Sequence, residues 1–352
     1  MKTIGYAAHS ADTPLVPYAF DRRDLRANDV AIDILYCGVC HSDLHTARSD
    51  WKGTVYPVVP GHEIVGKVTA VGPEVSKYAV GDTVAVGCMV DSCQQCDNCH
   101  DDLEQYCRDG MTGTYNGKDR VTGENTLGGY SRHIVVREEF VLSVPDNLDL
   151  KRVAPLLCAG ITTYSPLRTW NVGPGSRVGV VGMGGLGHMA IKLAVGLGAH
   201  VTVISRSPAK EADAMELGAD AFLISSDRDA MKAARNGFDL IVDTVPVKHN
   251  INPYMPLLDT DGTLCLVGQV GPMEEMLSVP LIMGRRRVAG SLIGGIAETQ
   301  EVLDFCGRMN ILPECEMIRM DEINEAYERM EKSDVRYRFV IDMSSLEMSD
   351  AV

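Results

Sequence analysis

Short apolar runs separated by glycine and proline dominate residues 1–149 of the chain. The runs are rich in β-branched residues, and they lie at 30–35, 64–72, 81–86 and 133–144. Short β-branched runs bounded by turn residues are typical of strands in a barrel or a sandwich. We therefore expect the N-terminal part of the chain to be mostly β.

The pattern changes near Pro145, after which apolar strand-like runs alternate with segments of helical periodicity. A helix is predicted over 154–170. The strands that follow it are predicted at 177–181, 201–204, 221–224, 240–243, 264–267 and 288–292. Helices are predicted between the first strands at 188–197 and 208–217, and nearer the C-terminus at 299–308 and 322–332. Strands that alternate with helices predict a parallel, doubly wound sheet, and hence an α/β fold class.

Composition and charge narrow the possible partners. The 352 residues carry a formal net charge of −15, which disfavours nucleic acid and anionic membrane surfaces as partners. We see neither an apolar leader at the N-terminus nor a run long enough to span a membrane. Eleven cysteines in such a chain indicate a reducing compartment and metal ligation, so we expect a cytoplasmic protein.

Four cysteines lie close together in a polar loop with the spacing C-x2-C-x2-C-x7-C: Cys93, Cys96, Cys99 and Cys107. Four thiolates complete a tetrahedral zinc site and leave no position for substrate, so we expect a structural zinc here. Disulfides, an iron–sulfur cluster and chance clustering are the alternatives. The ferredoxin pattern requires a C-x3-C-P ending that the chain lacks, and buried core cysteines would not gather in a polar loop.

A glycine-rich turn follows the apolar run at 178–181 and precedes a predicted helix. Its sequence is Gly182-Met183-Gly184-Gly185-Leu186-Gly187. In this strand–turn–helix context the G-x-G-x-x-G pattern predicts a dinucleotide site, with the pyrophosphate at the helix N-terminus. A turn that serves only packing is the alternative.

The end of the second strand of this region bears on which dinucleotide binds. An NAD site places an acidic residue there, on the ribose 2′-hydroxyl. The chain instead has Ser205, Arg206 and Ser207, with Lys210 one turn further on. Hydroxyl and cationic groups suit a 2′-phosphate, so we expect NADP(H) bound through Ser205, Arg206 and Lys210. A solvated surface role for Arg206 is the alternative.

A second metal site is expected outside the four-cysteine loop. Cysteine and histidine are dense at 37–45, a histidine and a glutamate follow glycine at 61–63, and Cys158 lies near the change of pattern. Two cysteines and one histidine with an open fourth position form a known catalytic zinc arrangement. Spacing alone does not choose between Cys37 and Cys40.

Together these motifs resemble, in order and approximate spacing, the medium-chain zinc-dependent alcohol dehydrogenases, and the match covers essentially the whole chain. The segments 37–45, 156–167 and 182–194 resemble the cinnamyl-alcohol-dehydrogenase-like branch, which includes bacterial broad-range NADPH-dependent aldehyde reductases. The resemblance implies a GroES-like β-barrel catalytic domain, residues 1–149 and 286–352, and a Rossmann domain, residues 150–285.

The resemblance also implies roles for individual residues. Cys40, His62 and Cys158 would ligate a catalytic zinc, which makes two zinc ions per chain, and Glu63 would lie beside it. Asp43 would orient His62, since metal-bound histidines usually have such a partner.

Ser42 and His45 would form a proton relay between the substrate oxygen and solvent, at the offsets from Cys40 that the family shows. Histidine titrates in the range that such a relay needs.

The family's substrate pocket lies above the catalytic zinc, where position suggests Trp51, Cys88, Met89 and Gly113. Plant cinnamyl enzymes have a bulky aromatic residue where this chain has Gly113, so we expect a less selective pocket. The expected activity is reversible reduction of small-molecule aldehydes to primary alcohols, by a homodimer joined near 285–295. An NAD-linked polyol or alcohol dehydrogenase and a non-catalytic, zinc-stabilised NADPH-binding protein are the alternatives.

Overall fold

The computed structural model describes residues 1–268 and 271–346. The strands are β1 (Lys2–Ala7), β2 (Val16–Asp21), β3 (Asp29–Val39), β4 (Ile64–Val71), β5 (Thr83–Val86), β6 (Met89–Asp91), β7 (Thr112–Gly113), β8 (His133–Arg137), β9 (Leu142–Ser143), β10 (Arg177–Val181), β11 (His200–Ser205), β12 (Ala221–Ile224), β13 (Phe238–Asp243), β14 (Leu258–Leu266), β15 (Arg287–Gly290), β16 (Cys315–Arg319) and β17 (Arg338–Asp342).

The α-helices are α1 (His41–Ala47), α2 (Asp97–His100), α3 (Leu150–Val153), α4 (Ala159–Thr169), α5 (Gly187–Gly196), α6 (Glu211–Glu216), α7 (Arg228–Ala233), α8 (Val279–Gly284), α9 (Ile296–Met309) and α10 (Ile323–Glu331). Within the described ranges, no helix has both the length and the apolar character needed to cross a membrane.

The chain divides into two compact units, one of Met1–Cys158 with Gly294–Val352 and the other of Ala159–Ile293. The first unit contains a seven-stranded mixed sheet in the order β16-β17-β3-β4-β5-β9, and β8 pairs with β3 beside this path. The long central strand β3 pairs with β4 along one side and with β8 and β17 along the other, and most of its residues are buried. Strand β17 pairs with the C-terminal end of β3, which brings a distant part of the sequence beside the start of α1.

The second unit contains a six-stranded sheet in the order β12-β11-β10-β13-β14-β15, and all of its neighbouring strands are parallel. In order of sequence this is 3-2-1-4-5-6, the arrangement of a doubly wound dinucleotide-binding sheet. Its strands are nearly continuous apolar runs, as expected for a parallel sheet that is covered on both faces. The predicted parallel, doubly wound sheet is confirmed.

The helix predicted over 154–170 is two elements in the structure. A 3₁₀ turn covers Ala154–Leu157, and α4 begins at Ala159. Between them the backbone of Cys158 leaves helical geometry, with φ −131° and ψ −68°. Pro166 lies inside α4 without ending it. The break therefore falls at the residue that the sequence predicts as a metal ligand.

Candidate active site

Three distant segments of the first unit meet at one buried site. Strand β3 ends at Val39, and Cys40 follows it as the N-cap residue of α1. The loop that precedes β4 carries His62 and Glu63, and Cys158 lies at the break described above. Each predicted ligand thus lies where a regular element starts or stops.

The ligand atoms of Cys40, His62, Glu63 and Cys158 all lie within 4.8 Å of one another, and all four residues are buried. The two sulfur atoms are 3.8 Å apart. Cys37 does not join this group: it lies on β3, and its buried thiol is directed at the carbonyl of Gly38, 3.6 Å away. The geometry thus places Cys40, and not Cys37, in this cluster; its role as a metal ligand stays a prediction.

The carboxylate of Asp43 fixes the orientation of the His62 ring. The Asp43 side chain is fully buried, and its Oδ1 accepts a hydrogen bond from Nδ1 of His62 at 2.9 Å. This contact leaves Nε2 of the imidazole directed away from Asp43 and available to a metal. A carboxylate partner of this kind sets both the tautomer and the orientation of a ligating histidine.

Arg338 on β17 is a partner of the site that the sequence analysis missed. Its guanidinium donates to Oε1 of Glu63, and both side chains are buried. Oε2 of Glu63 has no hydrogen-bond partner among the described residues. The two residues are 275 positions apart, and no local pattern marks Arg338 as part of a site.

The electrostatics of the site favour deprotonation of one of the two sulfur atoms. The contact with the Cys158 thiol holds the pKa of Cys40 well below its usual value, and the same contact raises the pKa of Cys158. Burial raises the pKa of Glu63 to about 7, although the Arg338 guanidinium acts in the opposite direction. A thiolate is the form of cysteine that binds metal.

The two predicted relay residues lie on α1, three positions apart and therefore on one face of the helix. The hydroxyl oxygen of Ser42 is 3.7 Å from the sulfur of Cys40. Nδ1 of His45 is 2.8 Å from Oδ2 of Asp50, a residue that the sequence analysis did not single out. Asp50 is exposed and lines an open surface cavity together with Arg48. These side chains thus extend from the ligand sulfur towards solvent.

The residues predicted for the substrate pocket are spread over several elements of the first unit. The ring of Trp51 is exposed and lies 5.2 Å from the His45 ring, measured between centroids. The thiol of Cys88 is 3.5 Å from the carbonyl of Leu157, next to a ligand residue. Their assignment to the pocket stays a prediction.

Met89 is only 2% exposed, and its backbone pairs with Gly113 between β6 and β7. A Cβ at Gly113 would lie 3.1 Å from the carbonyl oxygen of Tyr115, so a larger residue would be tightly placed here. Tyr115, which the sequence analysis did not assign to the pocket, has its ring 5.5 Å from the His62 ring. Met89 and Gly113 likewise stay predictions as pocket residues.

The four-cysteine loop forms a second cluster, in which the sulfur atoms again lie within 4.8 Å of one another: Cys93, Cys96, Cys99 and Cys107. None of these cysteines is in a disulfide. Backbone N–H groups point at the sulfur atoms, among them that of Arg108 at 3.4 Å from Cys96. This hydrogen bond lowers the pKa of Cys96 to about 6. The geometry fits four thiolates around one metal ion.

Both clusters fit zinc by the chemistry of their donors. Four sulfur donors with N–H groups directed at them match a closed structural site. Two sulfur donors and one oriented imidazole match a site that keeps its fourth position open, and the orphaned, buried oxygen of Glu63 lies beside them.

The glycine-rich turn has the local geometry that a pyrophosphate site requires. Gly182 has φ +89°, a left-handed conformation that turns the chain sharply after β10. A Cβ at Gly184 would meet nothing within 4 Å, so the backbone there is open to a ligand. A Cβ at Gly187 would lie 2.2 Å from the carbonyl oxygen of Gly182, which shows how closely α5 packs on the turn. Gly185 and Leu186 complete the turn before α5 begins.

The residues predicted to bind the 2′-phosphate lie at the carboxyl end of β11. Ser205 is its last residue, and Arg206 follows it with an exposed side chain. Arg206 makes no hydrogen bond or salt bridge with the residues that the structure describes. Nζ of Lys210 donates to the carbonyl oxygen of Met183 at 3.2 Å, which ties this group to the glycine-rich turn. The structure thus brings the predicted phosphate-binding residues to the same edge of the sheet.

Two family models match the chain. The model of the alcohol dehydrogenase GroES-like domain matches residues 26–146, and that of the zinc-binding dehydrogenase matches residues 185–308. Together they cover most of the chain and fall in both compact units.

Relatives resemble the chain along nearly its whole length. Aldehyde reductase YahK of Escherichia coli is 56% identical over 348 residues, which are 98% of this chain and 99% of the relative. NADP-dependent alcohol dehydrogenase C 1 of Mycolicibacterium smegmatis is 54% identical over 348 residues, with the same coverage of 98% and 99%.

Solved structures agree with this assignment. A cinnamyl alcohol dehydrogenase from Sorghum bicolor superposes with a TM-score of 0.96 at 47% identity, and covers 100% of both chains. The structure of CAD from Helicobacter pylori complexed with NADP(H) superposes with a TM-score of 0.90 at 43% identity, and covers 99% of each. The GroES-like and Rossmann folds that the resemblance implies are confirmed. The chain therefore belongs to the zinc-dependent alcohol dehydrogenases, in the cinnamyl-alcohol-dehydrogenase-like branch, and is an oxidoreductase.

Proposed function

We propose that the protein catalyses the reversible, NADPH-dependent reduction of small-molecule aldehydes to primary alcohols over a broad substrate range. The observation that carries this proposal is the buried, open donor set of Cys40, His62 and Cys158 beside the polar face of α1. Relatives named as an aldehyde reductase and as NADP-dependent alcohol dehydrogenases support it.

The two cofactors would supply the reactive chemistry. Cys40, His62 and Cys158 would hold a zinc ion that supplies Lewis acidity toward the substrate oxygen, and bound NADPH would supply the hydride. The protein's own contribution begins with Asp43, which holds the imidazole of His62 in one orientation through a hydrogen bond of 2.9 Å. All three ligand residues are buried, at 7% exposure or less.

Ser42 and His45 move the proton that the product alcohol needs. The Ser42 hydroxyl lies beside the ligand sulfur, where it can donate to the substrate oxygen. His45 then replaces that proton, and Asp50 accepts a hydrogen bond from its Nδ1 at 2.8 Å, which leaves Nε2 as the exchanging nitrogen. The exposed carboxylate of Asp50 connects the relay with solvent. Glu63, paired with Arg338, keeps a buried carboxyl oxygen beside the ligand set.

The second zinc would brace the loop at 93–107. Its four sulfur donors leave no position for substrate, so this ion stabilises the fold rather than acting in the reaction.

The glycine-rich turn and its neighbours would bind the cofactor. The open backbone at Gly184 would receive the pyrophosphate, and Ser205, Arg206 and Lys210 would bind the 2′-phosphate. An NAD-linked polyol dehydrogenase would require a carboxylate at the end of β11, and none follows Ser205 directly. A non-catalytic binding protein would not need the open donor set.

The assembly that we propose is a homodimer in the cytoplasm. Three apolar side chains of α8 are largely exposed, at 66%, 74% and 80% for Val279, Ile282 and Met283. The helix α8 comes just before β15 in the chain. Strand β15 is an edge strand: it pairs with β14 on one side and with none of the described strands on the other. A second copy of the chain can cover such an edge. Reduced thiols at both metal sites suit a reducing compartment. The division into functional domains at 149/150 and 285/286 also remains a proposal.

The test is a comparison of initial rates with NADPH and NADH across aliphatic and aromatic aldehydes, on protein whose zinc content has been measured. We expect two zinc ions per chain, activity on several aldehydes and a preference for NADPH. No activity on any aldehyde with NADPH would refute the function. One zinc per chain would eliminate one of the two sites, and a preference for NADH would overturn the roles of Arg206 and Lys210.

A further inference from the structure

The buried carboxylate of Asp43 accepts four hydrogen bonds, and only three of them come from the segments that carry metal ligands. Oδ1 accepts from the backbone N–H of Gly61 and from Nδ1 of His62, each at 2.9 Å. Oδ2 accepts from the backbone N–H of Cys40 at 2.9 Å and from the hydroxyl of Tyr130 at 3.1 Å. Four donors saturate the acceptor sites of a carboxylate. The fourth donor, Tyr130, has no role in the function described so far.

Tyr130 is rigidly held against the loop that carries His62. It is 0% exposed, and its segment pairs with that loop through backbone hydrogen bonds, among them one from Tyr130 N–H to the carbonyl oxygen of Pro60 at 2.9 Å. Gly61 has φ +101°, and a Cβ there would lie 2.7 Å from Cδ1 of the Tyr130 ring. The ring and the loop therefore leave each other no room to move.

Arg22 anchors the other side of the Tyr130 segment. Its guanidinium is partly buried and donates to the carbonyl oxygen of Gly128 and to the hydroxyl of Ser131, each at 2.7 Å. It also donates to the carbonyl oxygens of Leu127 and His133. The Arg22 side chain thus donates hydrogen bonds to four residues of the segment 127–133. These bonds hold the segment, and with it the Tyr130 hydroxyl, in a fixed position.

We propose that Tyr130 is a positioning residue for the catalytic metal, acting through Asp43 on His62 and Cys40. The inference rests on the proposed catalytic zinc site. The Tyr130 hydroxyl fixes Oδ2 of Asp43, and the same carboxylate fixes the ring of one ligand and the backbone of another. Without that hydroxyl, Oδ2 keeps one donor, and the carboxylate can rotate about its side-chain bond.

The expected effect of Tyr130→Phe is faster loss of the catalytic zinc, by roughly tenfold. Removing a direct partner of a metal ligand typically costs about 10- to 100-fold in metal affinity, and Tyr130 lies one hydrogen bond further away, so the lower figure applies. Phenylalanine keeps the ring and its packing, so only the hydroxyl is lost.

The experiment follows zinc release from the holoenzyme to a chromophoric chelator. Two phases of release are expected, one from each zinc site. The phase that is missing in the Cys158→Ser variant is assigned to the catalytic site, and the remaining phase to the four-cysteine loop. The matched control is Tyr78→Phe, which also removes one hydroxyl from the first unit, in this case one that donates to the carbonyl oxygen of Val141 at 2.7 Å. The visible spectrum of the Co²⁺-substituted enzyme gives a second readout of ligand geometry.

The inference is supported if Tyr130→Phe accelerates only the catalytic-site phase and alters the Co²⁺ spectrum, while Tyr78→Phe changes neither. It is overturned if both metal phases accelerate together, because Tyr130 would then contribute only general stability. It is also overturned if neither phase changes in Tyr130→Phe. Wild-type protein that holds a single zinc in the four-cysteine loop would refute the proposed function itself, which separates that failure from the failure of this inference.

Discussion

Replacing Arg206 with alanine should change the choice of cofactor. The residue follows β11 at the carboxyl edge of the parallel sheet, its side chain is exposed, and it makes no salt bridge with the residues that the structure describes. Its guanidinium is therefore free to bind the 2′-phosphate that NADPH has and NADH lacks. Arg206→Ala should weaken binding of NADPH and leave that of NADH unchanged.

The magnitude follows from the exposure of the side chain. Two unit charges about 4 Å apart attract each other by about 1 kcal/mol in water and about 4 kcal/mol near a protein surface. Because Arg206 is exposed, its contribution lies near the lower end, at about 1–2 kcal/mol. With about 1.4 kcal/mol for each factor of ten, kcat/KM for NADPH should fall roughly 5- to 30-fold.

The assay measures kcat/KM for both cofactors at saturating aldehyde, at low and at raised salt. The matched control is Arg235→Ala. Arg235 is also an exposed arginine of the second unit, but it precedes β13 and so lies near the amino ends of the parallel strands, away from Arg206. A loss that is equal for NADPH and NADH, or that Arg235→Ala reproduces, would refute the assignment of Arg206 to the 2′-phosphate.

Three further outcomes are expected. Asp50→Asn should lower kcat about two- to tenfold with little change in KM, since it weakens the hydrogen bond that sets the His45 tautomer; the pH profile of kcat checks this. Cys99→Ser should remove the structural zinc and lower Tm by roughly 5–10 °C, with kcat of the remaining folded enzyme little changed, as zinc analysis and calorimetry would show. Burial raises the pKa of Asp119, but the Arg26 hydrogen bond outweighs it and holds that pKa well below its usual range. Asp119→Asn should therefore cost about 1 kcal/mol at pH 7 in urea unfolding, and the difference should shrink below about pH 4, where wild type loses this contribution too.

The apolar pattern predicted the second unit better than the first. Most of its parallel strands are short apolar runs, and β10 to β13 fall within two residues of the predicted strands, whereas β14 begins at Leu258, before its predicted start at 264. The first unit depends on pairing between distant segments, such as β17 with β3, which no local periodicity reveals. The break at Cys158 was missed because the apolar residues on both sides of it fit a continuous helix.

The site was predictable where a short motif carries its own geometry. Cysteine spacing in a polar loop and glycines after a strand each lie within a single segment, whereas the relay of Ser42 and His45 was implied only by the resemblance to a family. Asp50 lies five residues after His45, beyond a turn, where spacing along a helix does not apply. The predicted ligands come from three segments, and only the resemblance to a family joined them.

The residues that sequence reasoning missed went unrecognised for the same physical reason. Arg338 and Tyr130 are buried polar groups whose partners, Glu63 and Asp43, lie 275 and 87 positions away. Burying a charge or a hydroxyl without a hydrogen-bond partner costs free energy, so each of these groups needs a partner. Which partner it finds depends on how distant segments pair in the folded structure. In the sequence Tyr130 resembles a core aromatic residue and Arg338 a surface cation. Their function follows from burial and contact rather than from residue type, and it is therefore the three-dimensional neighbourhood of the metal ligands that identifies them.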